Sequence, residues 1–322
     1  MVEIINWLKD RFVIVDLGSA NASDLALGDA TRCATLVELD AGGKSRTNPA
    51  RYHKHFRVQT AVSGTQGKRV FFRRKFSECS SILEPNATHV RDYGLDHGFA
   101  LQEAVELDCD TLVGVLTSIG VRSVDFLKTD LEGLDYEILV SGRSVLTGTL
   151  VIQSELRFQP FYVGEPPFHT VAGYLADLGF ELITLRPEVW KYNTSGRDLA
   201  RDGRLVWADA IFFLRPDRVH YLFKDMAPLA FAKQVLLAKA LDLHNYAEHI
   251  LEDLSPQINP PVARELRELL RIPFGRRITF TLINLLSSIP GAGRVFAKVR
   301  QALRVLIRAL TVDRRVKQLG SL

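Results

Sequence analysis

The chain has 322 residues, 47% hydrophobic and 24% charged, with a formal net charge of +4, which suits a globular protein with a substantial core. Three widely spaced cysteines (Cys33, Cys79, Cys109) with no CxxC argue against a disulfide framework or a zinc site and fit a reducing compartment. From Pro261 onward there are 13 Lys and Arg against 3 Asp and Glu, while the first 260 residues carry 28 against 34. A mildly acidic body with a basic tail is not the pattern of a whole-domain nucleic-acid binder, so no nucleic-acid partner is expected.

The N-terminus, Met1 to Phe12, has neither a long apolar core nor a small-residue cleavage site, so no secretory signal is read there. The longest apolar-rich run, Ile278 to Ile289, falls well short of the ~20 residues of a membrane span. A cytoplasmic protein, at most peripheral at the inner face of the membrane, is expected.

Strand-like runs alternate with helical ones from residue 12 to about 214. Phe12 to Leu17 is continuously apolar except for Asp16, as expected of a parallel strand buried on both faces. Further strands are expected at Ala34 to Glu38, Phe56 to Val62, Val124 to Lys128, Thr149 to Gln153, Phe180 to Leu185 and Asp209 to Leu214. Helices are expected at Leu112 to Ile119, Leu134 to Leu146 and Val171 to Leu178. Ser63 to Gly67 reads as a turn leading to a return strand, Lys68 to Phe72, and residues 73–98 as an irregular lid. Residues 186–207 form a long excursion before the last strand. Ala227 to Leu241 and His244 to Leu254 read as a helical hairpin, and Pro260-Pro261 as a break. The alternation predicts a doubly wound α/β sheet over residues 1–216, a helical hairpin over 217–260 and a basic helical tail over 261–322.

Three features carry chemistry. Val15 to Ala22 reads Val-Asp-Leu-Gly-Ser-Ala-Asn-Ala at the end of the first strand. A nucleotide-like ligand must approach backbone amides closely at such a turn, so Asp16, Gly18, Ser19 and Asn21 are candidate cofactor contacts. Glu38 ends the next strand, 22 residues after Asp16, where an acidic side chain holds ribose hydroxyls; Asp40 is the competing candidate. Both elements suit NAD as well as S-adenosyl-L-methionine (SAM); Ala20 and Ala22 stand where a dinucleotide fingerprint prefers glycine, which disfavours a pyrophosphate, whereas SAM has no phosphate and tolerates alanine there.

The third feature is Val124 to Leu139, an apolar strand ending in Asp130, Glu132 and Gly133 before a helix. The end of the fourth strand borders the crevice where such sheets bind ligands. Carboxylates there can hold the ammonium group of SAM, orient an acceptor hydroxyl or take its proton, and they also suit helix N-capping. Asp125 to Gly133, reading Asp-Phe-Leu-Lys-Thr-Asp-Leu-Glu-Gly, resembles the hallmark strand of the FkbM-type methyltransferases. Val15 to Ala22 is similar to that family's first turn, and Leu36 to Glu38 to its second strand. Ser63, Ser80-Ser81 and Asp110 to Leu112 fall in the family's order, with Ser63 a candidate cofactor contact. The resemblance covers about residues 12–215 and implies a seven-stranded SAM-dependent fold that O-methylates sugars, lipids or polyketides.

Further on, Glu155 ends the fifth strand on the ligand edge, followed by Phe158, Phe161, Tyr162, Phe168 and His169. The aromatic residues suit either an acceptor wall or packing of a loop onto the sheet. A hydroxyl acceptor must lose a proton, and Asp130, Glu132, Glu155 and His169 are the candidate groups. No metal is assigned; clustered carboxylates could instead hold Mg2+, and the sequence does not choose. N-methylation is the nearest alternative, and a non-catalytic Rossmann-like scaffold is the alternative of a different class. In the tail, Val295, Val299, Leu303, Leu306 and Leu310 share a helical face and Arg294, Lys298, Arg304 and Arg308 another, a pattern suited to an anionic membrane surface or to docking on the protein itself.

Overall fold

The computed structural model describes residues 2–18, 25–42, 47–193 and 203–271. The chain divides into two compact units, 1–270 and 271–322, and the elements below all belong to the first. A short helix, α1 (Val2–Leu8), leads into β1 (Phe12–Leu17), followed by β2 (Ala34–Leu39) and β3 (Lys54–Val58). An excursion then carries β4 (Ala61–Val62), β5 (Gly67–Arg74), α2 (Ala87–Asp92), α3 (Asp96–Phe99) and β6 (Leu101–Asp110). The chain returns through α4 (Leu112–Ser118) to β7 (Phe126–Thr129), α5 (Asp135–Ser141), α6 (Arg143–Leu146) and β8 (Val151–Arg157). Next come α7 (Phe168–Asp177) and the hairpin of β9 (Phe180–Trp190) and β10 (Arg204–Leu214). Helices α8 (Pro216–Phe223), α9 (Ala227–Ala240), α10 (His244–Leu254) and α11 (Pro260–Leu270) complete the unit.

The central sheet has seven strands in the order β3-β2-β1-β7-β8-β10-β9. The first five are parallel, and β10 runs antiparallel to both of its neighbours. This is the seven-stranded, Rossmann-like SAM-dependent methyltransferase sheet that the resemblance implied, with helices following it. The continuous apolar runs are central strands because both faces are covered: every residue of β2 is buried, as are five of the six in β1. The strand order reverses between β1 and β7, which opens a crevice at their C-terminal ends.

Several expectations are corrected. Phe56 to Val62 is not one strand: β3 pairs with β2, whereas β4 joins a separate three-stranded sheet of order β4-β6-β5. The polar pair Gln59-Thr60 marks the crossing from one sheet to the other. The expected return strand exists as β5, but it pairs antiparallel with β6 rather than with the strand before the turn. Residues 73–98, expected to be irregular, hold the end of β5, α2 and most of α3. The helix expected over 134–146 breaks at Gly142, which separates α5 from α6 and donates its N–H to Ile138 O at 2.8 Å. Pro260-Pro261 does mark a break, and a further helix, α11, starts there.

The hydrophobic core runs through α8 to α11 as well as the sheet. In α9, 12 of 14 residues are buried, so this helix is covered all round rather than on one face. Its Lys233 donates to Asp125 Oδ1 at 2.7 Å, and Asp125 Oδ2 accepts from Val13 N at 2.8 Å, joining α9 to the sheet through a buried ion pair. Among the described residues no helix is long and apolar enough to cross a membrane. Ser19, Asn21, Ala20 and Ala22, and the amphipathic pattern from Arg294, lie outside the described residues.

Candidate active site

The crevice begins where β1 ends. Gly18 has φ +80°, and a Cβ there would stand 2.0 Å from the carbonyl oxygen of Asp130. Only glycine allows this backbone approach between the ends of β1 and β7. Asp16, buried on β1, lies 3.6 Å from Lys128 Nζ, and the same ammonium donates to Asp130 Oδ2 at 3.2 Å. Burial works against the charge of Lys128, but the Asp16 and Asp130 carboxylates more than offset it and hold the lysine above its usual range.

Glu38 is fully buried at the end of β2. Its Oε1 accepts from Thr47 Oγ1 and its Oε2 pairs with His55 Nε2, each at 2.6 Å. Asp40, just beyond the strand, is more open. Ser63 is also buried, with its hydroxyl donating to Thr65 O at 2.6 Å; the adjacent Gly64 N–H donates to Glu137 Oε1 at 2.6 Å. The Ser63 turn is thus pinned to α5.

Beyond β7 the backbone turns sharply. Glu132 has φ +49° and Gly133 φ +93°, both in the left-handed region, which for a non-glycine residue costs roughly 1 kcal/mol. The Ser81 hydroxyl, donating to Glu132 O at 2.7 Å, helps hold the turn. At Gly133 a Cβ would press against Tyr162 and Leu83.

The centre of the site is Arg157, the last residue of β8. Its Nη2 donates to Glu132 Oε2 at 2.7 Å and lies 2.6 Å from Glu155 Oε1, while its Nε donates to Glu165 Oε1 at 3.2 Å. The guanidinium also lies over the Trp207 ring, 5.3 Å from its centroid. Tyr162 reaches Glu132 Oε2 with its hydroxyl at 3.0 Å. Burial pushes Glu132 up to about 7 against the pull of Arg157, and raises Glu155 well above the carboxylate range. Asp135, at the start of α5, is pushed up to about 6 by burial and by the charge of Asp130, with Thr129 opposing. Asp209 of β10 faces Glu155 in the antiparallel register and is raised by burial and by Asp130.

The structure therefore brings Asp130, Glu132 and Glu155 together: each offers an oxygen within 4.8 Å of the others. It does not bring in His169. Val171 and Leu175 turn the buried face of α7 inward, and His169, two residues before Val171, is left exposed in the first turn. Phe161 and Tyr162 are buried in a cluster with Tyr93, Phe99 and Val206, and Phe158 stacks on Phe168 at 4.8 Å. Sequence reasoning missed Arg157, Asp135, Glu165 and Asp209. Arg157 had a signal, since it follows Glu155 by two residues and so shares its face of the strand.

The FkbM methyltransferase domain model matches residues 20–182, just over half of the chain, and the chain belongs to that family. It is a SAM-dependent methyltransferase, and its cofactor is S-adenosyl-L-methionine. Among solved structures it is similar to a putative tRNA (m1A22) methyltransferase from Streptococcus pneumoniae, at 11% identity over 84% of this chain and 97% of that one, with a TM-score of 0.25. The same protein in complex with S-adenosyl-L-methionine gives 12%, 84%, 97% and 0.26. An uncharacterized protein from Listeria monocytogenes serotype 4b gives 11%, 84%, 94% and 0.26. These likenesses are too distant to bear on the acceptor. No curated protein matches the chain.

Proposed function

We propose that the protein methylates a hydroxyl group of a small molecule, glycan or lipid. The observation that carries this reading is the Glu132–Glu155 pair, two carboxylates on one guanidinium nitrogen with Glu132 held near 7. A hydroxyl needs a base to take its proton, and a base works best when its pKa lies near the operating pH. An amine acceptor would need such a base less.

The residues present fit SAM. Carboxylates stand at the ends of β1, β2 and β7, around the crevice where the Gly18 turn brings the ends of β1 and β7 together. Glu38 would hold the ribose diol, sharing oxygens already bonded to Thr47 and His55, since each carboxylate oxygen accepts more than one hydrogen bond. Asp130 would hold the ammonium group, with Lys128 fixing its carboxylate. When bound, the cofactor supplies a methyl carbon activated by its sulfonium. The chain's part is to align the acceptor oxygen with that carbon, and to receive the hydroxyl proton on Glu132 or Glu155 as the new C–O bond forms and the C–S bond pair returns to sulfur. His169, exposed on α7, has no part in this reading.

The test uses SAM carrying a 13C-labelled methyl, with panels of glycosides and amines as acceptors. Product methyl shifts assigned to oxygen, together with loss of transfer in Glu155→Gln, are expected. A methyl found on nitrogen, or no transfer by protein that binds S-adenosylhomocysteine, would overturn the hydroxyl reading.

A further inference from the structure

The carboxylate cluster holds more negative charge than its cations offset. Asp130, Glu132, Asp135, Glu155 and Glu165 interact with one another around Arg157, and Lys128 is the other cation at Asp130. Five carboxylates against two cations leave an excess that must be met by protons or by another cation.

The geometry favours a cation. Arg157 meets Glu132 through Oε2 and Glu155 through Oε1, so each carboxylate keeps a second oxygen that takes no hydrogen bond from the described residues. One oxygen each from Asp130, Glu132 and Glu155 lies within 4.8 Å of the others, close enough to share an ion.

A separate observation comes from behind this group. Asp135 is 4% exposed, and its Oδ1 has no hydrogen-bond partner among the described residues. Asp135 and Glu155 line one small cavity with Gly133, Arg157 and Glu165. A buried carboxylate oxygen without a donor, beside three clustered carboxylates, is placed to accept from water held by a cation bound among them.

We propose that Asp130, Glu132 and Glu155 bind one divalent, oxygen-preferring cation of the Mg2+ and Mn2+ class, with Asp135 as its outer anionic support. The donors are all hard carboxylate oxygens, without nitrogen or sulfur, which selects this class over zinc or copper. The ion would keep open positions for water or an acceptor oxygen, and a hydroxyl bound there loses its proton more readily. Binding of the ion does not depend on the acceptor reading, although its catalytic use does.

The test is titration of the full chain, freed of metal by a chelator, with Mn2+ alone, followed by the electron paramagnetic resonance signal of free Mn2+. One bound Mn2+ per chain, displaced by Mg2+, is expected. Affinity should fall at least about tenfold in Glu155→Gln and in Asp130→Asn, and should be unchanged in Glu103→Gln, an exposed carboxylate paired with Arg73. Thermal melting identifies any variant that does not fold, and the other then carries the comparison. Absence of Mn2+ binding, or equal binding by wild type and both site variants, would overturn the proposal. Hydroxyl methylation that persists in protein with no Mn2+ or Mg2+ bound would end the catalytic use of the ion and leave the acceptor reading standing. Mn2+ binding accompanied by methylation of nitrogen would end the acceptor reading, and with it the catalytic use of the ion, and leave the binding of the ion standing.

Discussion

The approach of β1 to β7 at Gly18 can be tested against an internal control. Gly18→Ala places a Cβ 2.0 Å from the Asp130 carbonyl oxygen, at φ +80°. Gly28 also has a positive φ, +57°, but a Cβ there meets nothing within 4 Å. Gly28→Ala therefore measures backbone strain alone, about 1 kcal/mol. Gly18→Ala adds an impossible contact with backbone, which cannot rotate away as a side chain can. The strand ends must separate or the turn must change, at a further cost of about 1–3 kcal/mol. Urea unfolding should rank Gly18→Ala below Gly28→Ala by that difference. Calorimetric titration with S-adenosylhomocysteine should show binding lost or greatly weakened in Gly18→Ala and retained in Gly28→Ala. If the two variants are equally stable and bind equally, the close approach is not a constraint and the cofactor assignment at this turn fails.

Three further outcomes follow from the same physical terms. Lys233→Met should cost about 3–5 kcal/mol by leaving the Asp125 carboxylate buried with only the Val13 N–H, and Asp125→Asn in the same chain should recover most of it; urea unfolding of both variants measures this. Asp135 is raised to about 6 from 3.8, so the folded state holds its proton more tightly than the unfolded chain. That contribution is complete below pH ~4 and lost as pH rises through 6, so in chelator-treated protein Asp135→Asn should gain on the order of 2–3 kcal/mol over wild type above pH 7 and little at pH 4. Parallel stability–pH curves for the two proteins would refute the buried, unsatisfied state of Asp135. Arg157→Lys cannot contact Glu132, Glu155 and Glu165 together or cover the Trp207 face, and should reduce methyl transfer about a hundredfold with S-adenosylhomocysteine affinity nearly unchanged, measured by turnover beside calorimetry.

The parallel strands are legible because burial on both faces removes alternation: Phe12 to Leu17 and Ala34 to Leu39 read as apolar runs. β6 is less legible. Val105, Leu107 and Cys109 alternate with Glu106 and Asp108, but its first four residues are exposed and carry no periodic signal. The division of Phe56 to Val62 between two sheets is a tertiary choice that the run itself does not encode. At the site, Asp130, Glu132 and Glu155 are legible because ligands bind beyond the carboxyl ends of parallel strands. Asp209 is not, since β10 runs the other way and only its register places that residue opposite Glu155. The exposure of His169 is not legible either, since residue type and closeness to a helix start say nothing about which way the first turn faces.

The helices after the sheet also bear on where the functional unit ends. α9 cannot stand as a separate appendage, because a helix buried on every side needs both the sheet and α10 and α11 around it. α11 buries Val262, Ala263, Leu266 and Leu270, and its Glu265 accepts from the N–H groups of Ile4 at 3.0 Å and Glu3 at 3.3 Å, satisfying two of the donors left open at the start of α1. Truncation after Asn259 would remove three large apolar side chains worth ~1.5–3 kcal/mol each, together with those caps. A loss of about 5 kcal/mol or more is comparable to the whole stability of many domains. The 1–259 fragment should therefore melt without cooperativity or fail to accumulate, whereas a 1–271 fragment should melt cooperatively and bind S-adenosylhomocysteine. Cooperative unfolding of 1–259 at the temperature of 1–271 would show that α11 is dispensable and would move the end of the catalytic unit back towards the sheet.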